Sequence, residues 1–262
     1  MESQLQGRRV LVTRAVHQSA SMCARIRRFG GEPVVVPVIS YRKAELTEED
    51  RRVWLDSVRM ADWIVLTSKN ALDFFMDTLD DPGRLKGVRL AAVGKKTGRA
   101  LETRGLKADF VPERFTVRGV ADAFRNGRLK AARIAVPLGS MADTSWFAEL
   151  RNSGIAVTGQ VLYETVPDVS SGKRLADTVA APGVDAVTFA SPSAVRFFTE
   201  LLDEPLWRKV LESCTVAAIG AATARALESL GYPPDVVPEK FTAPDMIDAL
   251  ADYYKKKEGM KR

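Results

Sequence analysis

The sequence predicts a parallel α/β protein made of two copies of one small domain. Short, continuous apolar runs alternate with helical patterns along its 262 residues, as expected for strands buried on both faces of a sheet and linked by helices. Gly30, Gly105, Gly154 and Gly231 each follow a helical stretch, where a left-handed residue closes a helix. The chain is also written twice. Thr67-Ser68-Lys69-Asn70-Ala71-Leu72-Asp73-Phe74-Phe75 returns as Ala190-Ser191-Pro192-Ser193-Ala194-Val195-Arg196-Phe197-Phe198. Ala92-Val93-Gly94-Lys95-Lys96-Thr97 returns as Ala218-Ile219-Gly220-Ala221-Ala222-Thr223, and Val111-Pro112-Glu113-Arg114-Phe115-Thr116 as Val237-Pro238-Glu239-Lys240-Phe241-Thr242. These matches are displaced by 123 to 126 positions, and a fainter one sets Arg9-Val10-Leu11-Val12 on Arg133-Ile134-Ala135-Val136 at 124. A solenoid repeats every roughly 20–50 residues; this displacement suits a whole domain. A cleft between two like domains is a common place for a ligand.

Taken in order, strands are expected at 10–13, 34–37, 63–67, 89–93, 109–111, 133–136, 157–162, 186–189, 215–219 and 235–237. Helices are expected at 71–78, 97–103, 120–124, 145–151, 194–202, 223–230 and 245–253. The grammar is a strand–helix–strand lead followed by a body of three strands and three helices, then lead and body again. Each lead folds with the body after it, in tandem, or the middle body and second lead form one contiguous domain while the outer pieces form the other. The extended segments 38–42 and 162–168 occupy equivalent places after each lead, suited to a pair of connecting strands.

Composition narrows the chemistry. With 46% hydrophobic and 27% charged residues this is an ordinary globular chain. No apolar run approaches the ~20 residues that span a bilayer, and the opening Met1-Glu2-Ser3-Gln4-Leu5-Gln6 lacks a signal-peptide pattern. A cytoplasmic protein without disulfides is expected, since Cys23 and Cys214 stand far apart. One histidine, His17, and two cysteines argue against a zinc site or a Ser-His-Asp triad. Hydroxyls, carboxylates, Arg, Lys or Tyr must then carry any catalysis. The net charge of +6 suits an anionic partner, although Lys255-Lys256-Lys257 and Lys261-Arg262 supply part of it as a solvated tail. A clustered basic face with aromatic stacking residues, which nucleic acid would need, is missing.

In open α/β sheets ligands collect beyond the carboxyl ends of the strands. The turns there contain Arg14, Thr67-Ser68-Lys69, Gly94 to Thr97, Leu138-Gly139-Ser140, Ser191 and Gly220 to Thr223. Ser68, Thr97, Ser191 and Thr223 are expected helix N-caps, a role compatible with holding a carboxylate or phosphate at the helix N-terminus. Gly94 and Gly220 either permit a tight turn or let an anion approach the backbone. Neither a P-loop nor a dinucleotide fingerprint is present. Arg14 and Lys69 follow strands directly, where a charge faces either the cleft mouth or solvent. Tyr163, within Tyr163-Glu164-Thr165 on a connecting strand, either packs in the joint or aims a phenol at a ligand as a proton or hydrogen-bond donor. His17 is expected to be an exposed helix-start residue, and Glu113, Asp143 and Glu164 surface or capping carboxylates.

The order of these motifs over about residues 8–250 resembles the uroporphyrinogen-III synthase family: a Val-Leu-Val-Thr-Arg strand, two Thr/Ala-Ser-x-x-Ala-x-x-Phe-Phe turns, two Val/Ile-Gly-x-x-Thr-x-x-Ala-Leu helices and a central Tyr-x-Thr. The resemblance implies two flavodoxin-like domains with parallel sheets, joined by a two-stranded antiparallel connection. Domain 1 would comprise 1–37 with 168–262, and domain 2 would comprise 38–167 including the connecting strands. It implies that hydroxymethylbilane, a linear tetrapyrrole with eight carboxylates, is closed to uroporphyrinogen III with inversion of its last pyrrole ring, through an azafulvene and a spiro intermediate, without metal or organic cofactor. Such catalysis works mainly by orientation. Residue by residue, the resemblance puts the family's tyrosine on Tyr163, as the acid that assists loss of the hydroxyl, and its cleft hydroxyls on Thr67, Ser68, Thr97, Ser191 and Thr223; Arg14, Lys69 and Gly139 join them as substrate-binding candidates from their own strand-end positions. Ala15, Leu138-Gly139-Ser140 and Lys69-Asn70 depart from the family's usual Pro, Arg-Gly and Pro-Arg, which shifts carboxylate binding toward backbone N–H groups, Arg14 and Lys69. A monomer is expected, with a small-molecule tetrapyrrole partner, no nucleic acid or membrane, and transient contact with the preceding deaminase. The rival reading is a non-enzymatic, two-lobed small-anion binding or regulatory protein on the same fold, which has no need of a central phenol.

Overall fold

A computed structural model describes residues 4–79, 81–85 and 87–259, apart from the side chains of His17, Pro82 and Arg84. The expected exposure of His17 and the tail residues Lys261 and Arg262 therefore lie outside the described residues. The chain divides into two compact units, Met1–Ser40 with Val166–Arg262, and Tyr41–Thr165.

The first unit opens with β1 (Arg9–Val12), α1 (Val16–Arg28) and β2 (Glu32–Val35), and the chain leaves it along β3 (Ile39–Lys43). The second unit contains α2 (Glu48–Met60), β4 (Trp63–Leu66), α3 (Lys69–Met76), β5 (Arg89–Ala92), α4 (Lys95–Glu102), α5 (Val117–Arg125), β6 (Arg133–Gly139) and α6 (Trp146–Asn152). It ends on β7 (Ala156–Pro167), which returns the chain to the first unit. There follow α7 (Gly172–Ala180), β8 (Val184–Phe189), α8 (Pro192–Leu201), α9 (Glu204–Ser213), β9 (Thr215–Ala218), α10 (Ala221–Glu228) and α11 (Ala243–Gly259).

The fold is mixed α/β with parallel sheets. In the first unit the strand order is β2-β1-β8-β9, every pairing parallel, and a single parallel bridge from Ala217 to Val236 extends the edge. The second unit's order is β3-β7-β6-β4-β5, with parallel pairing from β7 to β5 and a bridge from Ala91 to Phe110. Beside β7, the Ala44 N–H donates to the Leu162 carbonyl at 2.9 Å, and the Asp168 N–H to the Val38 carbonyl at 3.0 Å.

Alternation along the central strands explains why both sheets are covered twice. Trp63 and Val65 of β4 join a core with Phe124 and Phe147, whereas Ile64 and Leu66 join one with Trp54 and Phe75. In the first unit Leu11 packs with Phe189 and Phe198, while Val10 and Val12 pack with Met22 and Ile247. Carboxylates repeated between the units tie the strand starts together. Asp62 accepts from the Ala132 and Arg133 N–H groups at 2.6 and 2.8 Å, and Asp185 from the Arg9 N–H at 2.8 Å. Asp109 and Asp235 likewise each accept at 2.8 Å, from the N–H groups of Leu90 and Val216.

Several sequence expectations are corrected. The strands expected at 109–111 and 235–237 shrink to the single bridges at Phe110 and Val236, because Pro112 and Pro238 lack the N–H that would extend a ladder. The strand expected at 34–37 forms at Glu32–Val35. The strand at 157–162 and the segment at 162–168 are one strand of 12 residues. Helices α2, α7 and α9 form where none was expected. Of these, α2 has a sequence cause, a capping box in which Thr47 accepts from the Asp50 N–H while the Asp50 carboxylate accepts from the Thr47 N–H.

Candidate active site

The turns at the carboxyl ends of the strands hold the candidate residues. In the second unit, β4 ends at Leu66, and Thr67 leads to Ser68, the N-cap of α3, whose hydroxyl accepts from the Ala71 N–H at 3.0 Å. Ser191 repeats this at α8, accepting from the Ala194 N–H at 3.1 Å. Both serines are therefore the caps expected of them. Thr97 and Thr223 are not. The caps of α4 and α10 are Gly94 and Gly220, and the threonines sit a turn inside, donating N–H to those glycines' carbonyls at 3.0 Å, with only 4% and 2% of each residue exposed. A threonine's cap preference yielded here to helices that begin two residues earlier.

The tight-turn reading of the two glycines also fails. Gly94 has φ −140° and open space where a Cβ would stand, and Gly220 lies in extended backbone with Phe241 beside it. Neither conformation demands glycine.

Tyr163 of β7 gathers the densest set of contacts. The register of β6 on β7 runs from Leu138 opposite Val161 directly to Gly139 opposite Tyr163, so Leu162 is the extra residue of a bulge. Bulges re-aim side chains and recur beside active sites. The Tyr163 ring stacks on Phe74 of α3, with centroids 4.9 Å apart and planes at 14°, and meets Tyr41 of β3 edge-on at 5.9 Å. Its hydroxyl lies 3.4 Å from Ser68 Oγ. Ser140 secures the strand, donating its N–H to the Tyr163 carbonyl at 2.9 Å and accepting the Thr165 N–H on Oγ at 3.1 Å. Burial raises the phenol above its ordinary value near 10; the Ser68 hydrogen bond opposes this and Tyr41 adds to it.

The second unit thus brings Tyr163, Ser68 and Gly139 together, with Thr67 one residue from the cap. Lys69 stands next to Ser68, but its ammonium pairs with Asp73 at 2.6 Å, a carboxylate also held by Arg104 at 2.5 Å. In the first unit Arg14, Ser191 and Thr223 follow the ends of β1, β8 and β9. Arg14 Nε donates to Gln18 Oε1 at 3.1 Å, and Ser191 Oγ lies 3.1 Å from Ser193 Oγ. Glu164, Asp143 and Glu113 take structural roles: Glu164 pairs with Arg42 at 2.6 Å, Asp143 accepts from the Ser145 N–H at 2.8 Å, and Glu113 stands 3.7 Å from Arg128.

Sequence reasoning missed Phe74, Tyr41 and Ser140 as partners of Tyr163. Phe74 carried a signal, as part of the repeated Phe-Phe pair. A cavity of about 600 Å³ lies along α4, lined by Lys95, Arg99, Lys107, Val111 and Phe115 among others. Glu102 and Glu113 line it as well, and Tyr163 does not.

These features define a parallel α/β protein with hydroxyls and a buried phenol at its strand ends. A family model described as uroporphyrinogen-III synthase HemD matches residues 20–248. The chain is 30% identical over 259 residues to the porphyrin biosynthesis protein HemD of Ruminiclostridium josui, across 96% of this chain and 50% of that protein, so it spans about half that relative's length. It is 28% identical over 252 residues to the uroporphyrinogen-III synthase of Chlorobaculum parvum, covering 94% of this chain and 99% of the relative. The crystal structure of a mutant uroporphyrinogen III synthase from Thermus thermophilus shares the fold, with a TM-score of 0.59 and 22% identity over 95% of this chain and 100% of that one. The chain belongs to the uroporphyrinogen-III synthase family.

Proposed function

We propose that this protein closes hydroxymethylbilane to uroporphyrinogen III, with Tyr163 as the acid that assists loss of the hydroxyl. The observation that carries the reading is the buried phenol itself, held against Ser68 at the carboxyl end of β4 in a chain of this family. A hydroxyl has one donor and two acceptor sites. Ser68 Oγ already accepts the Ala71 N–H, so its own proton is free to point at the Tyr163 oxygen. That orientation leaves the phenol proton for a substrate oxygen.

In this mechanism the carbon–oxygen bond of the hydroxymethyl group breaks as Tyr163 delivers its proton, and water leaves. The resulting azafulvene is attacked by the last pyrrole, giving the spiro intermediate. Reopening and reclosure through the other carbon invert the ring. The proton lost when that pyrrole regains aromaticity restores the phenol, so the sum is one bilane to one macrocycle and one water. A neutral acid suits a substrate with eight carboxylates, since an ionised carboxylate would repel it. Burial keeps the phenol neutral.

Substrate-binding groups come from the strand-end turns of each unit: Thr67, Ser68, Lys69, Thr97 and Gly139 in the second, and Arg14, Ser191 and Thr223 in the first. The two units are read as flavodoxin-like domains, supported by the 2-1-3-4 order of the first sheet and the corresponding β7-β6-β4-β5 order of the second. Counting both connecting strands wholly with the second domain, we read the domain bounds as 1–37 with 168–262 and 38–167, two to three residues from those of the compact units. An antiparallel connection through β3 and β7 is supported by the two backbone bonds that flank β3, Ala44 to Leu162 and Asp168 to Val38, in which the numbers rise on one side as they fall on the other. The protein is read as a cytoplasmic monomer that meets the deaminase transiently; no helix among the described residues is long and apolar enough to cross a membrane. With one histidine and two cysteines in the chain, turnover should survive a chelator unchanged. Tyr163→Phe tests the reading: it should lower kcat far more than it alters KM, and an unaltered kcat would remove the phenol from the mechanism.

A further inference from the structure

We propose that Gly139 is a positioning residue: its missing side chain is what seats the phenol of Tyr163 between Phe74 and Ser68. This rests on the reading of Tyr163 as the acid. A Cβ built on Gly139 would stand 2.5 Å from Tyr163 Cζ, 2.7 Å from Cε2 and 2.8 Å from the hydroxyl oxygen. Real Cβ atoms do not approach so closely, so the two side chains exclude one another. The need is steric and not conformational, because Gly139 is not among the described glycines with positive φ.

Two further observations point the same way. The bulge at Leu162 is what sets Tyr163, in place of Leu162, opposite Gly139. The bulge and the glycine therefore act on the same ring. The internal repeat supplies a comparison within one molecule. Strands β1 and β6 align at a displacement of 124, as do β2 and β7, so that Arg9 opposite Glu32 matches Arg133 opposite Ala156. At that displacement Gly139 falls on Ala15 and Tyr163 on Ile39. The copy without the tyrosine also lacks the glycine.

The obstructing atoms belong to the far end of a side chain and not to backbone, so an alanine here can be accommodated if the ring swings away. The ring then leaves its stack on Phe74 and its hydroxyl leaves Ser68, while the fold stays. A displacement of about 1 Å at a catalytic group costs up to about 10²-fold in rate.

The test is a pair of double-mutant cycles on the full chain, read in kcat, KM and urea unfolding. Gly139→Ala keeps the backbone, the only group a glycine can offer the substrate, so it should lower kcat by about 10- to 100-fold and alter KM far less. In the Tyr163→Phe background, where the hydroxyl is already gone, the same change should lower kcat by no more than about twofold. Equal losses in both backgrounds would overturn the proposal, as would a Gly139→Ala variant with wild-type kcat. The second cycle uses Tyr163→Ala, which removes the ring: Gly139→Ala should destabilise the wild type more than it destabilises Tyr163→Ala. If Gly139→Ala alone does not fold, the double variant with Tyr163→Ala should fold, and one that stays unfolded overturns the proposal. Should Tyr163→Phe keep full kcat, the acid role of Tyr163 falls, and the seating role of Gly139 then stands or falls on the unfolding cycle alone.

Discussion

Phe74 of α3 and Tyr163 of β7 lie face to face, 89 positions apart in the chain, with ring centroids 4.9 Å apart and planes inclined by 14°. The contact ties the helix capped by Ser68 to the strand that carries the phenol, so the hydroxyl and its serine partner share one rigid frame. Phe74→Leu keeps an apolar side chain and removes the stack. It should cost about 0.5–1.5 kcal/mol in urea unfolding and lower kcat as the phenol loosens. Unchanged stability and kcat would reduce Phe74 to a space-filler.

Tyr163→Phe should lower kcat by about 10²-fold, the scale of a lost general acid. Because burial raises the phenol above its ordinary value near 10, the acid form persists throughout the neutral range. The pH profile of kcat should therefore show no tyrosine limb between about pH 7 and 9. A falling limb in that interval that vanishes in Tyr163→Phe would show the phenol ionising there, contrary to a buried acid.

Asp62 should act on stability alone. Its carboxylate is held below the ordinary value near 3.8 by the Arg133 and Ala132 N–H groups, which outweigh burial. A depressed folded value means that the stabilisation is fully present above the unfolded value and is lost as pH falls through the folded one. Asp62→Ala should cost about 1–3 kcal/mol at pH 7, and its deficit should shrink as pH drops below about 4. A deficit independent of pH would assign Asp62 a packing role instead.

Cys214 gives the opposite sign. Burial raises its thiol above the ordinary value near 9 against the Ser213 hydrogen bond, and the sulfur donates to the Val184 carbonyl at 3.2 Å. A raised folded value leaves stability intact below the unfolded value and erodes it above. Native protein should react slowly with iodoacetamide at pH 8, and Cys214→Ala should flatten the loss of stability above about pH 9. Rapid labelling of Cys214 in folded protein would contradict this.

The strands were the most legible part of the sequence. Trp63–Leu66 and Thr215–Ala218 are buried on both faces, and such runs announce themselves without alternation. The left-handed glycines also read true, with φ of 79°, 71°, 79° and 87° at Gly30, Gly105, Gly154 and Gly231. Helix α2 escaped because only Trp54 and Val58 of its thirteen residues are buried, which leaves a faint apolar stripe; its Thr47–Asp50 box was the stronger signal. Thr97 and Thr223 were misplaced because cap preference speaks of residue type and not of where the preceding strand releases the chain.

The candidate site was legible only in part. Tyr163 and Ser68 lie 95 positions apart, and no local rule joins them. Their meeting depends on the bulge at Leu162, which shifts the register by one residue and leaves no mark in composition. Gly139 was visible as a turn residue, but its steric partner emerges only once β6 and β7 are paired.

The central claim is the identity of the macrocycle that this chain produces. The most direct measurement is a coupled assay in which porphobilinogen and its deaminase supply the bilane, this protein is titrated in, and the oxidised porphyrins are separated by isomer. The proposed reaction predicts that the type III isomer rises with protein concentration at the expense of type I, without an added cofactor. Type I alone at every concentration would contradict it.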